Sequence, residues 1–319
     1  MVTTIEIKRE NRNPSKVVVG DTLELLPGLL PPDRRIVAIT DPNIAAIYGD
    51  VIRAHTGSQI VIPTGEEHKT LETIEFVHRR LIDLGADRRT YIVGWGGGIV
   101  TDVAGFAAST YLRGVEFGFV ATSLLGQVDA SVGGKNGVNV GGYKNMAGLF
   151  NQPDFVVCDT GTLSTLPPRE FRAGLAEMIK AGVTGDPELF AILEKHSPEA
   201  LLAEPELLGR AILAAIRVKA GIVEADETEK DERRKLNLGH TIAHAVEKLT
   251  REFNHGEAVG IGLVAIAGVS ERLGLLKSAT GERIVSAVER AGLPTHSGLA
   301  PRDMVEALTR DKKVEGGAL

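Results

Sequence analysis

Up to about residue 160, short runs rich in β-branched residues alternate with longer helical patterns, and this alternation narrows the fold more than any other feature of the sequence. Lys16–Val19, Arg35–Thr40, Gln59–Ile62, Thr90–Val93, Gly118–Ala121 and Phe155–Cys158 read as strands. Between them, Lys69–Leu84 sets Leu71, Ile74, Val77, Leu81 and Leu84 on one face, the period of an amphipathic helix. Strands separated by helices need crossover connections, so a doubly wound, mostly parallel α/β sheet is expected. After Leu166-Pro167-Pro168 the strand pattern stops. Helical stretches follow at Arg169–Gly182, Pro187–Lys195, Pro205–Ala225, Gly239–Leu249, Glu257–Leu273, Thr280–Ala291 and Arg302–Thr309. A chain of 319 residues is long for a single core. The change of pattern divides it into an α/β domain over residues 1–165 and an all-α domain over residues 166–319.

Charge and composition exclude several classes of partner. Lys plus Arg number 36 against 42 Asp plus Glu, a formal net charge of −6, which argues against nucleic acid or an anionic membrane. A small-molecule substrate is expected instead. The N-terminal Met1-Val2-Thr3-Thr4-Ile5-Glu6-Ile7-Lys8 lacks the cationic start and apolar core of a signal peptide. The longest apolar run, Ala258–Val269, falls short of the roughly 20 residues that span a bilayer. The single cysteine, Cys158, ends the apolar run Phe155-Val156-Val157 and reads as a buried thiol. These features fit a reduced cytoplasm.

Glycine is over-represented, 37 of 319 residues against an average near 7%, and the excess is concentrated between Gly94 and Gly148. Tyr91-Ile92-Val93-Gly94-Trp95-Gly96-Gly97-Gly98 runs into Ile99-Val100-Thr101-Asp102 as strand, turn and helix. Such a turn aims free N–H groups and the helix dipole at one spot, which suits a pyrophosphate. The usual dinucleotide fingerprint is absent, because Ile99 stands where its third glycine would be. Thr64-Gly65-Glu66-Glu67-His68-Lys69 and Asp41-Pro42-Asn43 follow two other strands, at the strand ends where such sheets bind ligands. Asp129–Asn139, with Gly133-Gly134-Lys135, reads either as a solvated loop or as a lysine-bearing phosphate loop. Glu177 and Lys180 share a helix face, by default an intrahelical pair. His240, His244 and His255 fall within sixteen residues. One carboxylate, two imidazoles and an open position describe a catalytic zinc site, and spacing leaves open which two histidines take part.

Gly96-Gly97-Gly98…Asp102, Ser109-Thr110-Tyr111-Leu112-Arg113-Gly114, Asp129-x-Ser131-x-Gly133-Gly134-Lys135, Lys144-Asn145, Leu166-Pro167-Pro168-Arg169-Glu170, Leu175-Ala176-Glu177-Met178-Ile179-Lys180, Asn237-Leu238-Gly239-His240-Thr241, His255-Gly256-Glu257-Ala258 and Asp311-Lys312-Lys313 are collinear. Together they resemble the 3-dehydroquinate synthases, a family of sugar phosphate cyclases. The resemblance implies an NAD-binding α/β domain joined to a helical metal-binding domain, with the active site between them. Carried over by position, it implies zinc (or cobalt) ligands at Glu177, His240 and His255, and proton transfer by His244 with Glu229. Substrate-binding positions fall on Arg113, Asp129, Lys135, Asn145, Lys180, Lys219, Arg233, Asn237 and Lys312. NAD positions fall on Asp41, Asn43, Glu66, Lys69, Gly97, Gly98, Asp102, Thr122, Ser123, Lys144 and Thr165. A homodimer is implied as well.

The reaction so implied converts 3-deoxy-D-arabino-heptulosonate 7-phosphate to 3-dehydroquinate and phosphate. Its steps are transient oxidation by NAD, β-elimination of phosphate, reduction, ring opening and intramolecular aldol closure. An acidic protein needs a local cationic pocket for the carboxylate and phosphate of that substrate, and Arg113, Lys135, Lys180, Lys219, Arg233 and Lys312 would supply it. Other readings are an aminodehydroquinate, valiolone or deoxy-inosose synthase, a metal-dependent alcohol dehydrogenase, or a non-catalytic NAD-binding protein. The dehydrogenase reading gives no role to the phosphate-directed lysines or to Glu229. The chain departs from the family at Trp95, where a smaller aliphatic residue is usual, so a differently packed glycine turn is expected. Gly141-Gly142-Tyr143 and Asn136 are further departures. Family members continue beyond Asp311-Lys312-Lys313, so an incomplete or frayed C-terminus is expected after it.

Overall fold

The computed structural model describes residues 2–9 and 12–309. Their contacts group the chain into two compact units, Met1–Leu166 with Lys219–Thr228, and Pro167–Val218 with the residues from Glu229 on. The short return segment Lys219–Thr228 therefore counts with the first unit. No hydropathy pattern marks it, since it continues a long helix.

The first unit contains β1 (Thr3–Arg9), β2 (Arg12–Gly20), α1 (Leu26–Leu29), β3 (Ile36–Thr40), α2 (Pro42–Thr56), β4 (Ser58–Val61), α3 (Leu71–Asp83), β5 (Tyr91–Gly96), α4 (Gly98–Thr110), β6 (Phe117–Ala121), β7 (Lys135–Val140), β8 (Tyr143–Phe150) and β9 (Phe155–Asp159). Seven strands form one sheet in the order β1-β2-β9-β6-β5-β3-β4. All neighbours are parallel except the β1–β2 edge pair. The doubly wound sheet expected from the sequence is thus present. Its edge strand β1 was not anticipated, although Thr3, Ile5 and Ile7 alternate with exposed Thr4, Glu6 and Lys8, the period of a half-buried strand. β7 and β8 form a separate antiparallel hairpin, in the segment whose polarity suggested a loop.

Strand β5 shows how a glycine-rich sequence makes a buried strand. Successive side chains face opposite sides of a sheet, so Gly94 and Gly96 share one face and Trp95 takes the other. A Cβ on Gly94 would lie 2.8 Å from Ala104 Cβ, and one on Gly96 would lie 2.6 Å from Val100. The glycines therefore let α4 sit directly on the strand. Trp95 is fully buried and packs with Leu26, Ile52, Val93 and Val120. Its extra bulk is taken up on the face away from α4.

In the second unit, α5 (Pro168–Gly185), α6 (Pro187–Lys195) and α7 (Pro198–Ala203) precede α8 (Pro205–Ala225), whose last turns reach into the first unit's segment. α9 (His240–Leu249), α10 (His255–Arg272), α11 (Ser278–Arg290) and α12 (Pro301–Thr309) follow. No strand occurs here among the described residues, as the sequence pattern requires. The six-residue α7 was not anticipated. Its signal is local: Ser197 caps it and Pro198 opens it. No described helix is long and apolar enough to cross a membrane.

Candidate active-site residues

In the first unit, the residues expected to hold a dinucleotide gather on loops at the carboxyl ends of β3, β4, β5, β6 and β9. Strand order reverses between β3 and β5, and this is the switch point where open α/β sheets bind ligands. Asp41 caps α2, accepting from the Asn43 and Ile44 N–H groups at 2.8 and 3.0 Å. Gly97 is the N-cap of α4. A Cβ on Gly97 would lie 3.2 Å from Ser123 Oγ, and one on Gly98 would lie 3.0 Å from Ala130 Cβ. The two glycines thus keep the helix N-terminus in close contact with the loop after β6. There Thr122 N–H donates to the Gly96 carbonyl at 3.0 Å, and Ser123 Oγ accepts from Gly126 N–H at 3.1 Å. Thr165, after β9, is 2.9 Å from the Tyr48 hydroxyl.

A polar network runs beside that turn. Lys69 is buried, 5% exposed. Its ammonium bonds the Asp102 carboxylate and, at 2.7 Å, Asn145 Oδ1. Burial pushes the Asp102 carboxyl up, and the Lys69 ammonium draws it part of the way back. Glu66 Oε1 accepts from Asn139 Nδ2 at 2.9 Å. Asp129 lies in the π-helical turn Gly126–Ala130. Its backbone carbonyl accepts from Lys219 Nζ at 2.7 Å, and its carboxylate pairs with the same ammonium. Lys219 thus stands in the first unit, although the helical domain was expected to carry it. Arg113 and Lys135 are exposed, as are Lys144 and Asn145 at the start of β8. Arg113 and Asn145 have left-handed φ of 70° and 49°.

The second unit brings together Glu177 from α5, His240 from α9 and His255 from α10. One carboxylate oxygen and one nitrogen from each imidazole lie within 4.8 Å of one another. Glu177 Oε1 is 3.5 Å from His240 Nε2 and 3.4 Å from His255 Nε2. Ligand atoms held tetrahedrally at roughly 2.0–2.1 Å from a zinc are about 3.3–3.4 Å apart, so the donor set fits such an ion. Lys180 pairs with the other carboxylate oxygen, which leaves Oε1 facing the imidazoles. His240 Nδ1 is 3.2 Å from the Leu238 carbonyl, and His255 Nδ1 is 3.2 Å from Glu247 Oε1. Each outer nitrogen meets an acceptor, which fixes the tautomer that turns the Nε2 lone pair inward. Burial lowers the His255 pKa, but bonds to Glu177 and Glu247 outweigh it and raise it to about 10, so without a metal the ring is protonated and the inward lone pair is freed only when a metal displaces that proton.

Two glycines set this geometry. A Cβ on Gly256 would lie 2.1 Å from the Ala173 carbonyl oxygen, and one on Gly262 would lie 2.1 Å from the Gly239 carbonyl oxygen. Helix α10 therefore touches α5 and the start of α9 backbone to backbone. His244 sits one turn beyond His240, with ring centroids 5.6 Å apart and edge to face. Glu229, at φ 61°, accepts from Asn237 Nδ2 at 2.6 Å. Arg233, 1% exposed, lies in the same 3-10 turn as Asn237, Glu232–Asn237. Lys312 falls outside the described residues, as does all of Asp311-Lys312-Lys313 and the tail after it. Glu247 was missed in the sequence. Its signal was faint: it stands seven residues after His240 and three after His244, on the same helix.

A doubly wound sheet with ligand loops at its switch point, and a helical unit carrying a carboxylate and two imidazoles, define the class of protein. Residues 59–173 match the profile for the 3-dehydroquinate synthase N-terminal region and residues 174–314 the C-terminal one. The chain belongs to the 3-dehydroquinate synthase family. It is 46% identical over 312 residues to the 3-dehydroquinate synthase of Pelotomaculum thermopropionicum, covering 95% of this chain and 84% of that one. Among solved structures, 2-deoxy-scyllo-inosose synthase complexed with carbaglucose-6-phosphate, NAD+ and Co2+ superposes with a TM-score of 0.87 at 29% identity, over 98% of this chain and 88% of that one. The 2-epi-5-epi-valiolone synthase of Streptomyces hygroscopicus subsp. jinggangensis 5008, with NAD+ and Zn2+ bound, gives 0.86 at 29% identity, over 95% and 88%.

Proposed function

We propose that this chain converts 3-deoxy-D-arabino-heptulosonate 7-phosphate to 3-dehydroquinate and inorganic phosphate, as a phosphorus–oxygen lyase dependent on NAD and on zinc or cobalt. The observation that carries the reading is the cluster of Glu177, His240 and His255, in a unit that matches the family's C-terminal profile. The 46% identity to a named 3-dehydroquinate synthase, against 29% to a 2-deoxy-scyllo-inosose synthase and a 2-epi-5-epi-valiolone synthase, supports the dehydroquinate reaction over theirs. A cytoplasmic homodimer belongs to the same reading.

When bound, NAD would supply a hydride acceptor that is restored within each turnover, and the metal would supply a Lewis acid for the oxygen of the ring alcohol. The chain's own residues do the rest. In this reading Glu177, His240 and His255 hold the metal, while the loops at Asp41, Asn43, Glu66, Lys69, Gly97, Gly98, Asp102, Thr122, Ser123, Lys144 and Thr165 hold the dinucleotide. Arg113, Lys135, Lys180, Lys219, Arg233 and Lys312 bind the phosphate and carboxylate as charge-assisted donors. Asp129, Asn145 and Asn237 orient the ring hydroxyls. His244 and Glu229 hold and pass the protons that the hydroxyl and ring carbon give up. Loss of the proton next to the transient ketone expels phosphate, and the opened enolate is kept in place for aldol closure by the same cationic contacts.

Phosphate release from the heptulosonate phosphate, followed together with absorbance at the NADH band, tests this. Many phosphates should be released per NAD with no net NADH. Stoichiometric NADH would make the protein a dehydrogenase, and release from an amino analogue alone would move it to another cyclase.

A further inference from the structure

Asn139 carries none of the roles assigned above, yet it closes a hydrogen-bonded ring through residues that do. It lies at the irregularity in the β7–β8 ladder, where pairing shifts between Val138 and Val140. A bulge of this kind re-aims one residue out of the ladder. The Asn139 backbone drops out of the β7–β8 pairing and forms an isolated parallel bridge with Thr70, and its N–H donates to the Lys69 carbonyl at 2.8 Å. Its side-chain Nδ2 donates to the Glu66 carbonyl at 3.2 Å and to Glu66 Oε1 at 2.9 Å. Its Oδ1 accepts from the Asn145 N–H at 2.9 Å. Both ends of the amide thus have one chemically allowed orientation, because a flipped amide would face donor to donor and acceptor to acceptor.

Asn145 in turn occupies a left-handed conformation, φ 49°, and presents Oδ1 to the Lys69 ammonium at 2.7 Å. That ammonium also bonds Asp102. The ring therefore runs from Glu66 through Asn139 and Asn145 to Lys69 and back along the 66–69 loop. We propose that Asn139 is a positioning residue that fixes the cofactor loop and the Lys144-Asn145 turn to each other, so that the dinucleotide and sugar phosphate positions are held in register. This role rests on the function proposed above, in which Glu66, Lys69 and Lys144 serve NAD and Asn145 serves the substrate. The two ends of the amide act on different segments, since Nδ2 holds the cofactor loop and Oδ1 holds the substrate turn.

Substitution separates these two contacts in the full-length, metal-loaded enzyme. Asn139→Ala removes both. Asn139→Asp keeps an oxygen for the Asn145 N–H but sets a carboxylate against Glu66. NAD affinity is read by titration without substrate, alongside the substrate KM, kcat and melting temperature, with Lys69→Ala as reference. Asn139→Ala should weaken NAD binding and raise the substrate KM, each roughly ten- to a hundredfold. Asn139→Asp should weaken NAD at least as much and leave KM near native. Equal losses in both variants with a matching fall in melting temperature would make Asn139 a strut of the hairpin and overturn the proposal, as would native behaviour of both. NAD affinity left unchanged by Lys69→Ala would take Lys69 out of the cofactor loop, and the role of Asn139 with it.

Discussion

The contact most sharply defined at the metal cluster is one in which no side chain takes part, and it can be tested by adding a single methyl group. Gly256 follows His255 at the start of α10. A Cβ there would lie 2.1 Å from Ala173 O, 2.3 Å from Ala173 Cα and 2.5 Å from Ala173 C, all backbone atoms of α5. None can rotate away. Restoring ordinary contact requires the first turn of α10 to retreat from α5 by about 1 Å or more. Glu177 stands one turn after Ala173 on α5 and His255 precedes Gly256, so the retreat separates two candidate ligands now 3.4 Å apart. Functional sites tolerate roughly 0.5 Å of such error.

Gly256→Ala should therefore lower zinc or cobalt affinity by about a hundredfold or more. The folding cost should stay near the ~1–3 kcal/mol of an overpacked contact. Competition with a chromophoric chelator measures the affinity, circular dichroism verifies the fold, and the visible spectrum of the cobalt form reports the ligand field. Gly268→Ala is the control on the same helix, because a Cβ there meets nothing within 4 Å. It should keep full metal affinity. Native metal affinity and an unchanged cobalt spectrum in Gly256→Ala would refute the argument that this glycine sets the ligand spacing.

Glu247→Ala should weaken metal binding by roughly ten- to a hundredfold through loss of the acceptor on His255 Nδ1, whereas Glu247→Gln, which keeps an oxygen there, should lose less; chelator competition compares the two, and equal losses would leave the hydrogen bond without the role given it. Cys158 is fully buried, and burial pushes its thiol pKa well up, so it should resist thiol reagents in the native protein and react at once in guanidinium; rapid native labelling would contradict its placement in β9. The Arg283 guanidinium, bonded to Glu194 at 2.7 and 2.6 Å, holds that carboxyl below its ordinary 4.5. The depressed value means the pair's stabilisation is present above pH 4.5 and drains as pH falls below it, so Glu194→Gln should reduce the acid dependence of stability by at most about 1 kcal/mol; equal acid unfolding profiles would show the pair contributes nothing.

How much of this was legible in the sequence depends on how far apart the interacting residues lie along the chain. The core strands and most helices announced themselves through local period, and the limits of Pro187–Lys195 and Pro205–Ala225 were readable to the residue because prolines open both. Composition around Gly94–Gly98 gave the turn, but not why it tolerates Trp95: that follows from alternation, which sends the indole into the sheet's other face. The hairpin β7–β8 was hidden because its strands are short of β-branched residues. Its register is tied to a distant segment, where Asn139 N–H donates to the Lys69 carbonyl at 2.8 Å and Asn139 Nδ2 to Glu66 Oε1 at 2.9 Å. The histidine cluster was visible, but which two of its members meet Glu177 was not. His240 and His244 are neighbours on one helix face, and spacing alone does not decide between that pair and one that includes His255. What brings His255 to Glu177 is the approach of α10 to α5 and α9 at Gly256 and Gly262, two residues whose function is to have no side chain. A one-dimensional pattern records which groups are present and how often they recur. A site assembled where three backbones touch is recorded only in the residues that are missing something, and these acquire meaning once the partner helix is known.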